Sequence, residues 1–158
     1  MYPVLQELIH QAEAKYLKQD DLNNLQIEIA RLKQRTVVYK SLRDQEIIIF
    51  QQIADQLVEA FPTENSQTIE TCLHHWILAT RYSAMAMLLD NSEFLERRLL
   101  EWLTDIVVVH NYQPISRKIF TLLMSQLKKI FAEKELEILT PFMNQINSYL
   151  SDSKSLQV

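Results

Sequence analysis

The chain has 158 residues, a formal net charge of −4, a single cysteine and no glycine. Ordinary usage of about 7% would supply roughly eleven glycines at this length, so glycine-rich phosphate loops are excluded. Every backbone position of positive φ must be filled by Asn, Asp or another residue, which a turn-rich β fold tolerates badly and a helical bundle easily.

The acidic balance argues against nucleic acid as the main partner, because duplex binding needs a basic face that releases counterions. One cysteine admits neither an internal disulfide nor a multi-cysteine zinc site. The start, "MYPVLQELIHQAEAKYLK", has no basic segment leading into an apolar one, and no window of 18 uninterrupted apolar residues occurs. The expectation is one domain over 1–158, in the reducing cytoplasm, with no membrane insertion.

Apolar residues recur at helical spacing between proline and Asn/Asp/Ser clusters. The first predicted helix carries Leu5, Leu8, Ile9, Ala12 and Tyr16 on one face and ends near Lys18. Asp20 is the expected N-cap of a second, in which Leu22, Leu25, Ile29 and Leu32 repeat up to about Lys33. A third runs from about Val37 to Phe61; its "EIIIF" is β-branched, but the flanks "SLRDQ" and "QQIADQLVEA" are strong helix formers.

Pro62 stops that helix, and Asn65 or Ser66 caps the fourth, which holds "TCLHHWILATRYSAMAMLLDN" (71–91). This stretch is apolar on more than one side and belongs in the middle of the bundle. Asp90 with Glu93 has the form of a capping box for a fifth helix, with Phe94, Leu95, Leu99, Trp102, Leu103 and Ile106 inward and Asn111 as a left-handed C-cap. A sixth helix follows Pro114, and a seventh is expected from Thr140-Pro141 to "SYLS", leaving 152–158 as a frayed tail. The result is an all-α chain of seven or eight helices.

Signatures of metalloproteases, nucleophile elbows and phosphate loops are missing, so no enzyme is expected. The chemistry-bearing residues gather on the fourth helix: Cys72, His74, His75, Arg81 and Tyr82. Taken singly, a buried thiol, a tyrosine or a histidine suits a helical core. Arg81 is harder to place there, because a cation in an apolar helix calls for a carboxylate. His74 and His75 point about 100° apart and do not converge on one metal.

"CLHHWILATRYSAMAML" resembles the chromophore-attachment helix of phycobiliproteins, the bilin-carrying antenna proteins of phycobilisomes. There a pattern like C-x-R-D is followed by "LRY", a small apolar run and "AML"; Cys72 falls on the attachment cysteine, and Arg81-Tyr82 nine and ten residues on. "NSEFLERRLLEWL" is similar to the family's "LDERVLNGL" through Leu95, Arg98, Leu100 and Leu103, and Pro114 matches its "LGVP" proline. Lys15, Tyr16, Leu17, Leu22 and Leu25 resemble the N-terminal "GRYL" segment and the helix after it, and "PFMNQINSYLS" is similar to the "YFDYICSGLS" close.

The resemblance, to a divergent allophycocyanin- or phycocyanin-like member, implies a globin-like helical core with two additional N-terminal helices that pair with another subunit. It implies a homodimer, or a heterodimer with a phycobiliprotein-like partner, among phycobilisome components at the thylakoid surface. It also implies an open-chain tetrapyrrole (bilin) joined to Cys72, with Arg81 toward a propionate, Tyr82 among the aromatic walls, and His74 and His75 at two further cofactor-binding positions.

Those two positions depart from the pattern. His75 stands where the family has an aspartate that accepts from the pyrrole N–H groups, and a neutral imidazole offers a single acceptor nitrogen. His74 replaces an arginine, Asp90-Asn91 replaces "GD", and the connection before the cysteine is cut to "PTENSQTIE". Three readings follow: a light-harvesting or energy-transferring bilin protein, a chromophore-free assembly or regulatory protein of the antenna, and a globin-like haem sensor with His74 or His75 as axial ligand.

Overall fold

The computed structural model describes residues 3–151, all helical apart from short connections, with no strand among the described residues. The order is α1 (Pro3–Ala14), α2 (Gln19–Ala60), α3 (Ser66–Leu89), α4 (Ser92–Leu95), a π turn (Glu96–Leu100), α5 (Glu101–Val109), α6 (Gln113–Ile130) and α7 (Glu133–Leu150). This is the all-α, globin-like arrangement expected, preceded by α1 and the first half of α2. The predicted tail, 152–158, lies outside the described residues.

α2 joins two segments predicted as separate helices. Nothing between Lys33 and Val37 breaks a helix: Gln34 and Arg35 are good helix formers, and the Thr36 hydroxyl donates back to the Leu32 carbonyl at 2.8 Å. Its start also differs from the expected Asp20 cap. Lys18 holds the N-cap position, and its backbone N–H donates to Asp21 Oδ2 at 3.0 Å.

At about 1.5 Å per residue, the 42 residues of α2 span about 63 Å, while a globule of this chain length has a radius of gyration near 15 Å. One end must therefore overhang. The buried residues show which: Val38, Leu42, Ile49, Phe50, Ile53 and Leu57 lie from the middle onward, and Glu28 alone before it. The first half and α1 form an arm.

α3 runs through the core, packed against α2, α6 and α7. It ends at Asp90 in the left-handed region, φ 51°, and Asn91 then caps α4 by accepting from the Phe94 N–H at 3.1 Å. Asp90 is thus a C-cap, and the predicted capping box with Glu93 gives way to Asn91. Asn111 takes the other positive φ, 56°, as expected for a chain without glycine.

The predicted fifth helix is interrupted by the π turn. One extra residue per turn rotates the apolar stripe, so Leu95, Leu99, Leu100, Leu103 and Val107 are buried while Trp102 is 46% exposed and Ile106 half-buried. α7 starts seven residues earlier than Thr140-Pro141, where the Ala132 N–H donates to Glu135 Oε2 at 3.0 Å. Pro141 is tolerated within it on an exposed face.

Candidate functional site

α3 is set in place by Asn65, whose side chain accepts from the Gln67 N–H at 2.9 Å. From there the 3.6-residue period sends Cys72, Trp76 and Ala79 into the core, each no more than 1% exposed. Burial, and secondarily the charge of Glu64, pushes the Cys72 thiol up to about 12. A thiol so placed is sealed from solvent and held protonated, and the nucleophilic thiolate is scarce.

His75 lies one turn further, half-buried, its ring 6.2 Å from that of Tyr112, which stacks on His110 at 5.2 Å. Burial first, then the neighbouring imidazoles of His74 and His110, lower its pKa, and its Nδ1 is buried without a hydrogen-bond partner. Its surroundings favour the neutral imidazole. His74 projects to solvent.

Arg81 follows Cys72 by nine residues, which is two and a half turns. It leaves the opposite side of α3 and forms a two-point ion pair with Glu46 of α2, Nε to Oε2 at 2.8 Å and Nη2 to Oε1 at 2.6 Å. That hydrogen bonding raises the Arg81 pKa further. The pair borders a groove of about 350 Å³ floored by Leu42 and Ala84. Tyr82 is half-buried and stacks on Phe94, centroids 5.9 Å apart.

The structure thus separates the residues that the sequence grouped. Cys72 and His75 face the core and the α5–α6 corner, and Arg81 faces α2. Sequence reasoning missed Glu46, the first residue of the β-branched "EIIIF", and His110 and Tyr112, although Asn111 between them is read as a left-handed C-cap.

The match to known proteins agrees with this helical arrangement: the family model for phycobilisome proteins covers residues 7–150. The chain belongs to the phycobilisome protein family. No curated protein matches it significantly. Members of the family generally carry bilins bound to cysteine, and Cys72 is the cysteine this chain has.

The residues present do not fit that group. The thiol is sealed, Arg81 is on the far side of the helix and already paired with Glu46, and the position that the resemblance assigns to the pyrrole nitrogens holds a histidine in place of a carboxylate. The axial ligand of a haem fares no better, with His74 in solvent and His75 against Tyr112. No helix among the described residues is long and apolar enough to cross a membrane.

Proposed function

We propose that this chain is a non-enzymatic, chromophore-free subunit of the phycobilisome type, a single domain over 1–158 that pairs with a phycobiliprotein-like partner in antenna assembly or regulation. The observation that carries this reading is the arm. Val4, Ile9, Leu22, Ile27, Ile29 and Val37 are each at least 40% exposed, on α1 and on the half of α2 that overhangs the core. Scattered apolar residues are normal on a surface, but a run of them along one projecting helical pair marks an interaction face.

The reading places the protein at the cytoplasmic face of the thylakoid through its partner. A homodimer through the same face is the second form of the reading, since an arm of this kind can pair with a copy of itself.

Sedimentation of the purified chain alone and mixed with phycobilisome subunits tests it, with zinc-enhanced fluorescence of the denatured protein after incubation with bilin and a competent lyase. Pairing without a fluorescent adduct is the expected result. A covalent pigment lost on Cys72→Ala would replace this reading with the bilin-carrying one, and a strict monomer that captures no antenna component would remove the pairing role.

A further inference from the structure

Thr68 and His75 of α3 both lie against the α5–α6 corner, and Cys72 falls between them on the same side of the helix, a stripe with spacings of four and three residues. Thr68 lines a cavity of about 300 Å³ with Phe61, Glu64, His110, Tyr112 and Ile115. His75, at the other end of the stripe, meets the same Tyr112 ring, and Cys72 lies between them at 1% exposure. The corner turns at Asn111 in the left-handed region, a conformation that costs a non-glycine residue energy and that surrounding contacts must hold.

We propose that the contact of His75 with the Tyr112–His110 pair is a pH-sensitive latch: acidification protonates His75, loosens the α5–α6 corner from α3 and uncovers Cys72.

Burial opposes a proton on His75 most, and His74 on α3 and His110 on the corner oppose it through their charge, while the Tyr112 ring, tilted and 6.2 Å away, offers only a weak attraction to a cation. Glu64, the carboxylate of the α2–α3 connection, lines the adjoining cavity and bears on Cys72, not on His75. A neutral His75 leaves one buried ring nitrogen, Nδ1, without a partner, a modest cost. The imidazolium turns it into a buried donor with no acceptor, and adds a charge.

The sign follows from the lowered pKa. An unfolded or opened chain takes up the proton near the ordinary 6.5, and the closed form takes it up only at lower pH. Closure is therefore at full strength above that value and weakens as pH falls below it.

The test reads Cys72 with 4,4′-dithiodipyridine, which remains reactive in acid, against a free thiol at each pH. Between about pH 7.5 and about pH 5.5 the relative rate is expected to rise severalfold, about tenfold being the ceiling that one imidazole of ordinary pKa allows over that span. Hydrogen exchange should rise over 110–116 while 139–146 of α7 stays protected. His75→Phe should flatten the rise, and if that variant does not fold, His110→Gln should reduce it. A flat relative rate, a rise that either folded variant keeps in full, or exchange rising equally in α7 would each overturn the latch.

Discussion

Between Val38 and Leu57, α2 buries six side chains, three of them with no exposed surface, whereas between Gln19 and Val37 it buries only Glu28, which is held by Arg31 at 2.6 Å. Helix propensity is similar in both halves, and no break separates them. The difference lies in what each part touches: the second is packed into the core, whereas the first meets it only near its end, where Arg35 pairs with Asp90 at 2.9 Å and Arg31 and Gln34 border a groove with α7. Helical secondary structure thus extends beyond the core that stabilises it, and a helix without tertiary packing is marginal in water. The arm is built to be completed by something else.

The largest expected effect breaks the core half. Leu57→Ala removes a fully buried side chain and should cost about 2–5 kcal/mol of unfolding free energy, by loss of transfer energy and creation of a cavity. Ile29→Ala, 55% exposed in the arm, should stay within about 0.5 kcal/mol. Chemical denaturation of the two variants, at protein concentrations low enough to keep the chains apart, compares them directly. Equal losses would mean that the arm is part of the core.

The next effect sharpens the arm as an interface. Leu22 and Ile29 are seven residues apart, two turns on one face, and both exposed. Leu22→Glu with Ile29→Glu should leave the melting of the isolated chain nearly unchanged and weaken pairing about 100-fold, since a central apolar contact is worth about 2 kcal/mol or more and a buried unpaired carboxylate adds to the loss. Sedimentation equilibrium reads it. Unchanged association would move the interface elsewhere, with the exposed Trp102 and Val109 of α5 next to be tried.

Much of this was legible in the sequence, for identifiable reasons. The missing glycines and the 3.6-residue period reveal helices, and Asn65 and Asn111 mark their ends because few other residues suit those backbone positions. Boundaries failed where no residue speaks alone. The continuity of α2 depends on the absence of a breaker, and the π turn at Glu96–Leu100 is visible only through which leucines are buried. For the site, linear proximity misled: Cys72 and Arg81 sit in one motif, yet two and a half turns put a helix between them. Glu46, the partner that makes Arg81 unremarkable, is 35 residues away.

A third effect concerns the thiol side of α3. Cys72→Ser puts a hydroxyl at a site 1% exposed, one turn from Trp76, whose indole N–H is already buried without a partner. It should destabilise by about 1–3 kcal/mol, the cost of burying an unsatisfied polar group, and by more than Cys72→Ala if the thiol behaves as a small hydrophobe. Thermal melts of the two variants decide the order. A serine variant as stable as wild type would indicate that the site admits water.

The smallest effect is on the other side of that helix. The Arg81–Glu46 pair has good two-point geometry, but the guanidinium is 63% exposed and the carboxylate 19%, so solvent screens much of the attraction. A double-mutant cycle with Arg81→Gln and Glu46→Gln should give a coupling of about 1 kcal/mol or less, shrinking further in high salt. Glu46→Gln should nevertheless cost slightly more than Arg81→Gln, because its side chain is the more buried and the glutamine keeps only one acceptor for a two-pronged donor. If a partner covers this groove when the arm is engaged, the same cycle measured in the complex should yield a larger, salt-resistant coupling, since desolvation strengthens a pair whose geometry is already set. A coupling equal in both states would leave the Arg81 side of α3 in solvent, with pairing confined to the arm.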